Sequence, residues 1–167
     1  MEIILLRQGK PLIPLLDRIN AISFIQWIEA YNSAGLCLTS PPPQTTLTRV
    51  NQGNATVCSQ LSRSIQSAEA LNITNIILTD AQFNEAGLPS ANWRRLKLSP
   101  TIWLIIFRLL WLFGYSKHSE SYNEAKQRAA GSTKTLINLA GEYKSVLFIG
   151  LNIYLKKVSM INYLQRN

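Results

Sequence analysis

The chain is predicted to fold as an α/β protein, a three-layer α/β/α sandwich on a mostly parallel central sheet. Three observations predict it. Short strand-like runs recur along the chain, at residues 2–6, 55–58 and 145–150, and the first, apolar after Glu2, reads as a strand buried on both faces. Segments with helical spacing stand between those runs, and alternation of strand and helix implies parallel pairing with helices on both faces. The composition is that of a globular chain, with 47% hydrophobic and 16% charged residues in a length of 167, enough to bury a substantial core. No internal repeat or flexible linker is visible, so residues 1–167 are read as a single domain.

The elements follow in order. Residues 2–6 form the first strand. Ala21 to Ser33 reads as a helix, with Ile22, Ile25 and Ile28 on one face and Gly35 as its stop. Ser40-Pro41-Pro42-Pro43 is a rigid loop. Ala55 to Cys58 is a strand, Ser62 to Leu71 a helix with Ile65, Ala68 and Leu71 on one face, and Asn75 to Thr79 another strand. Ser121 to Tyr143 is a long helix, Ser145 to Gly150 the last strand, and a closing helix starts near Ile153.

One segment departs from this pattern. Thr101 to Tyr115 is apolar all round except for Arg108, with Ser99 placed to cap it, Pro100 in its first turn and Gly114 at its end. It is read as an apolar helix inserted at about residues 99–115. Fifteen helical residues span roughly 22 Å, short of the ~30 Å hydrocarbon core of a bilayer. Three readings stand: a buried helix, a dimer-forming or lid helix, or an interfacial membrane anchor. Arg94, Arg95 and Lys97 just before it favour a contact with an anionic membrane surface. A homodimer through Trp103–Phe113 is the competing contact.

The formal net charge of +8 calls for an anionic partner or a basic surface. Nucleic acid is not expected, because the basic residues are scattered, with Arg94-Arg95-Leu96-Lys97 and Lys156-Lys157 the densest groups, and no recognition motif accompanies them. Cys37 and Cys58 are the only cysteines, too few for a disulfide framework or a zinc site. No metal and no cofactor are expected. Met1-Glu2 running into an apolar strand lacks the basic region and cleavage site of a secretory signal. The expected location is cytoplasmic, or peripheral to the membrane if the apolar helix anchors there.

Four segments, in this order, resemble the histidine phosphatase (phosphoglycerate mutase-like) superfamily. They are Leu6-Arg7-Gln8-Gly9 after the first strand, Ser59 to Glu69 as Ser-x-Leu-x-Arg-Ser-x-Gln-Ser-Ala-Glu, Phe83 to Pro89 around Glu85, and the strand Val146–Gly150 with Leu151. His118-Ser119-Glu120-Ser121 followed by Arg128 is similar to a fifth family segment. The resemblance spans about residues 2–158 and implies the phosphoglycerate mutase-like fold.

The resemblance also implies roles. In the family one imidazole attacks phosphorus, a second imidazole and two arginines hold the phosphoryl oxygens, and a carboxylic acid protonates the leaving oxygen. Arg7 and Arg63 match the phosphate-binding arginines and Glu85 the acid/base. Gln8 stands at the nucleophile's position and Leu151 at the second histidine's. A carboxamide nitrogen has its lone pair delocalised, so Gln8 is no nucleophile, although it can donate to a phosphate oxygen. Leu151 offers neither donor nor charge. The chain is therefore expected to be a pseudophosphatase that weakly binds phosphate or a phosphorylated small molecule through Arg7 and Arg63.

Alternatives remain open at this point. Glu85 with the two arginines could support an active phosphomonoesterase, or Glu85 could pair structurally with Arg7 or Arg63. The 101–115 helix could make the chain an interaction or membrane-surface module. Histidine to glutamine and histidine to leucine are single-base changes, so drift and engineering both fit, with Asn152 in place of the family's usual glycine favouring drift. Cys58 and Arg63 lie one residue too close for a cysteine-phosphatase loop, and no glycine between them cradles a phosphate. His118, the only histidine, is read as an exposed loop residue. Residues 89–120 are expected to form a lid, and nothing in them identifies a substrate.

Overall fold

The computed structural model describes residues 1–13, 16–37 and 42–150. Leu151, Asn152, the closing helix expected from Ile153 and the pair Lys156-Lys157 lie outside the described residues, as do Ser40 and Pro41. The described chain divides into two compact units. Of the described residues, one unit comprises those within Met1–Pro11 and Gly35–Glu85 and those from Gln127 to Gly150; the other comprises those within Leu12–Ala34 and Ala86–Lys126.

The first unit is built on four parallel strands, β1 (Glu2–Leu6), β2 (Ala55–Ser59), β3 (Ile76–Asp80) and β4 (Ser145–Ile149), in the order β1-β4-β2-β3. The sheet carries helices on both faces. Strand side chains alternate between faces, so each strand feeds two cores. Ile4, Cys58, Leu147 and Ile149 pack with Val50 and Ala68, which come from α2 (Gln44–Val50) and α3 (Ser62–Ala70). Val57, Val146 and Phe148 pack on the other face with Phe83, Leu136 and Ala140, the last two from α5 (Tyr122–Tyr143). Every residue of β2 and β4 is buried, including Thr56, Ser59 and Ser145, which explains why neither strand shows the apolar/polar alternation of a half-exposed one.

The register aligns the carboxyl ends. Leu6 and Cys58 both pair with Ile149, and Ser59 pairs with Asp80. The Gly150 amide donates to the Leu6 carbonyl at 3.0 Å and extends the β1–β4 pairing past the strands. The segments that leave this edge of the sheet therefore start side by side.

The second unit joins α1 (Ala21–Ser33) to α4 (Pro100–Leu112). Asn20 caps α1 by accepting from the Ser23 amide at 2.9 Å, and Ser99 caps α4 by accepting from Ile102. Helix α1 ends at Ser33 with Ala34 extended, so its stop uses no left-handed glycine at position 35. Past α4, Gly114 takes φ +97°, a conformation that suits a residue without Cβ. Ile19 and Leu98 exchange backbone hydrogen bonds at 2.9 and 3.0 Å just ahead of the two helices. Trp103, Phe107 and Trp111 recur at four-residue spacing and are buried, with Phe24 of α1 stacked 5.4 Å from Phe107. The tryptophan nitrogens are satisfied in place, Trp103 by the Ile19 carbonyl and Trp111 by the Glu120 carbonyl, each at 2.7 Å. The inserted helix is thus buried along its aromatic face, and Trp103 and Trp111 are not surface residues.

Among the described residues, no helix is long and apolar enough to cross a membrane.

Candidate active site

The candidate residues of the first unit gather where its strands end. Gln8 lies two residues past β1, Ser59 closes β2, Arg63 and Ser64 open α3, and Glu85 follows the short 3-10 turn Ala81–Phe83 after β3. This is the edge at which open parallel sheets bind ligands, because the loops leaving adjacent strands there face a common crevice.

Gln8 is buried at 5% exposure, and both ends of its carboxamide are engaged. Its Nε2 donates to Glu85 Oε1 at 3.0 Å. Its Oε1 accepts from Ser64 Oγ. Ser64 Oγ lies 2.6 Å from Ser59 Oγ. A hydroxyl has one proton to give. Since Ser64 spends it on Gln8, Ser59 is the donor to Ser64. The network runs Ser59, Ser64, Gln8, Glu85, every step pointing towards the carboxylate.

The two ends of this network are held by backbone contacts. The Gln60 amide donates to Asn84 Oδ1 at 3.0 Å, which ties the β2–α3 turn to the segment carrying Glu85. Arg128 of α5 donates through Nη1 to the carbonyls of Gln82 and Asn84, both at 2.8 Å, and Ser132 Oγ donates to the Gln82 carbonyl as well. Glu85 therefore sits on a segment clamped from the helix layer.

Arg63 is 2% exposed, in the first turn of α3. Its carbonyl accepts from Ser67 Oγ at 2.6 Å, and Ser67 Oγ in turn accepts from the Gly9 amide at 3.0 Å. This contact brings the turn after β1 against α3. A Cβ on Gly9 would run into the end of the Leu36 side chain, so it is the packing of this turn against Leu36 that uses the absence of a side chain there.

Arg7, the residue before Gln8, is exposed and lines an open depression of about 180 Å³ with Leu6, Gly9, Lys10, Leu36, Thr46 and Ser67 among its walls. The structure thus brings Gln8 and Glu85 into direct contact and sets Arg63 next to Ser64, Gln8's other partner. Arg7 and Lys10 place two cations on the depression beside them. Leu151 lies outside the described residues.

The remaining candidates fall elsewhere. Cys58 is fully buried in β2, and burial pushes its thiol up from 9.0 to about 11, so it is no thiolate nucleophile. His118 is exposed, at φ +61°, in the second unit. Among the described residues, no group of three or more histidine, cysteine, aspartate or glutamate side chains is placed to hold a metal ion.

Solved structures share the fold of this chain. The chain superposes on YhfR of Bacillus stearothermophilus with a TM-score of 0.58 at 15% identity, over 98% of this chain and 79% of that one. The product of the Mycobacterium tuberculosis open reading frame Rv3214 gives 0.56 at 14% identity, over 89% and 72%. A mycobacterial glucosyl-3-phosphoglycerate phosphatase gives 0.54 at 17% identity, over 87% and 71%. The fold is phosphoglycerate mutase-like. At these identities the likeness is one of fold, and no protein-family model and no curated protein matches the sequence.

Within that fold, the sequence pointed to Gln8, Arg63, Glu85 and Arg128. It did not single out Ser59, Ser64 or Lys10. Both serines stand inside the Ser-x-Leu-x-Arg-Ser segment, but Gln8, to which Ser64 donates, is 56 residues away, and nothing in the sequence links the two.

Proposed function

We propose that the protein is a pseudophosphatase of the histidine phosphatase superfamily, catalytically silent, whose pocket still accepts a phosphate group. The observation that carries this reading is the Gln8 carboxamide, bound at one end to Ser64 and at the other to Glu85. By resemblance Gln8 stands where the family has its nucleophile. A carboxamide cannot form the phosphoramidate bond that a ring nitrogen forms, because its nitrogen lone pair is committed to the carbonyl.

Glu85 is engaged as an acceptor for Gln8, which gives the carboxylate a structural task in place of proton donation to a leaving oxygen. What survives is charge. Arg7 and Lys10 beside the depression, with Arg63 one turn away on α3, offer cations to a phosphate monoester or to inorganic phosphate. The phosphatase named among the similar structures supports the ester class of ligand and leaves the rest of the molecule open.

The test is hydrolysis of p-nitrophenyl phosphate by the chain and by the double variant Gln8→His/Leu151→His. The parent is expected to match the buffer blank. Hydrolysis by the double variant supports a pocket intact except at two positions, since a catalytic unit regains little from one member alone. An active parent overturns the reading. Binding is read separately, as a rise in Tm with inorganic phosphate that Arg7→Gln abolishes.

A further inference from the structure

The outer face of α4 has no part in the pocket. Ile102, Ile105, Leu109 and Leu112 are each 45–56% exposed, and Phe113, just past the helix, is 87% exposed. Their spacing of three, four and three residues draws one stripe along the helix. At 100° per residue the stripe is centred opposite Trp103, Phe107 and Trp111, the buried face. The helix is apolar on both sides for two different reasons. Its inner aromatic side forms the core of the second unit, and its outer aliphatic side is left exposed among the described residues. From Ile102 to Phe113 the stripe runs for roughly 16 Å. A contiguous apolar surface of this kind marks a contact site.

Charge says what the contact is with. From Ala86 through Ser119 the chain contains no aspartate or glutamate, yet it carries Arg94, Arg95, Lys97, Arg108 and Lys117. Arg94, Arg95 and Lys97 are exposed in the segment that leads into the Ser99 cap, and Lys117 is exposed a few residues beyond the far end of the helix. Exposed Trp93 and Leu96 are interleaved with the first three cations. The apolar stripe thus has basic residues at both ends and no carboxylate within this stretch to repel an anion. An interfacial helix needs this combination: aliphatic side chains that enter the headgroup boundary, flanking cations that meet lipid phosphates, and an axis too short to span.

We propose that the outer face of α4 docks on an anionic lipid surface, with Ile105, Leu109 and Leu112 inserted among the headgroups and Arg94, Arg95 and Lys97 against their phosphates. The docking is peripheral, because α4 has only 13 residues. It is reversible, because each contribution is modest, and salt weakens it through the cationic part. It rests on the second unit alone and does not depend on whether the pocket binds phosphate.

The experiment is co-sedimentation of the full chain with vesicles of phosphatidylglycerol and phosphatidylcholine, compared with phosphatidylcholine alone, at low and high salt. The chain is expected to partition onto the anionic vesicles, with loss of about tenfold or more at high salt and on neutral vesicles. Leu109→Glu is expected to reduce partition by about tenfold or more. The triple change Arg94→Ser/Arg95→Ser/Lys97→Ser is expected to remove the salt dependence. All these positions except half-buried Arg108, which is left untouched, are exposed, and an unchanged far-ultraviolet circular dichroism spectrum shows that each variant folds. Equal partition onto both vesicle types, or partition indifferent to Leu109→Glu, overturns the proposal. So does a parent that ignores vesicles and sediments as a dimer which Leu109→Glu dissociates, since the stripe then belongs to a second copy of the chain.

Discussion

Gln8 donates to Glu85 across 77 positions of sequence, amide nitrogen to carboxylate oxygen at 3.0 Å, in a site where Gln8 is almost wholly buried. The bond joins the turn after β1 to the segment after β3, the two edge strands of the sheet. Removing the amide leaves the Ser64 hydroxyl and the Glu85 carboxylate each short of a partner. Gln8→Ala is therefore expected to cost about 1–3 kcal/mol of folding stability, more than a surface substitution costs. Urea unfolding of parent and variant measures it. A change near zero would mean that water replaces the amide without loss.

Arg128 makes a second long-range tie. Its Nη1 meets two carbonyls, those of Gln82 and Asn84, that flank Phe83 and lead to Glu85. Arg128→Lys keeps the charge but replaces a planar, fixed donor group with a mobile ammonium. Arg128→Lys is expected to lose on the order of 1 kcal/mol and Arg128→Ala about twice that. Amide hydrogen exchange should show the loss concentrated in residues 82–85, whereas a uniform loss across the sheet would argue against a local clamp.

Much of this fold is legible in the sequence because burial on both faces removes the apolar/polar alternation of a half-exposed strand, as in β2 and β4, where every residue is buried. Strand β1 reads from its apolar residues Ile3–Leu6, although it is not buried on both faces: Glu2 and Leu5 are exposed and only Ile4 is buried. Helix α4 is legible from its ends, where Ser99 and Pro100 do what cap residues do. Helix α2 is not legible. Gln44–Val50 holds three threonines, which are poor helix formers, and only Val50 is buried. Thr48 Oγ1 bonds back to the carbonyls of Gln44 and Thr45, a local contact without a sequence signature. The division into two units is hidden for another reason. The chain passes between them at Pro11–Leu12, Ala34–Gly35, Glu85–Ala86 and Lys126–Gln127, and none of these junctions has the composition of a linker. At the site, motif spacing shows which residue types are present. It does not show that Ser59, Ser64, Gln8 and Glu85 form one directed chain of hydrogen bonds, because that depends on β1 lying beside β4 and β4 beside β2.

Helix α4 allows a contrast between neighbouring positions. Phe107 is fully buried and stacks on Phe24, Trp93 and Trp103, while Leu109, two residues on, is 50% exposed. Phe107→Ala removes a ring from the centre of that cluster and is expected to cost about 3–5 kcal/mol, or to unfold the second unit. Leu109→Ala is expected to lie within about 0.5 kcal/mol of the parent. Thermal unfolding of the two variants side by side reads both. A large loss at Leu109 would show that the outer stripe is covered in the folded protein in solution.

Cys58 gives the chain a measurable alkaline limit. Its thiol is buried in β2, and desolvation of the thiolate raises its pKa from 9.0 to about 11 in the folded state. An unfolded chain releases this proton near 9 while the folded chain keeps it, so above pH 9 the unfolded state binds fewer protons. Stability from this group is therefore complete below pH 9 and falls as pH rises through the interval to about 11. A two-unit separation corresponds to roughly 2–3 kcal/mol at the far end of the interval. Other groups titrate there as well, so the measurement is a difference. Urea unfolding at pH 8 and at pH 10.5 should show the parent losing on the order of 2 kcal/mol more than Cys58→Ala does over the same step. The variant itself starts from a lower stability at pH 8, because it leaves a small cavity beside Ala68 and Ile149. Identical pH slopes in the two proteins would mean that the Cys58 thiol reaches water in the folded state, and a thiol reagent would then label it as fast as the partly exposed Cys37.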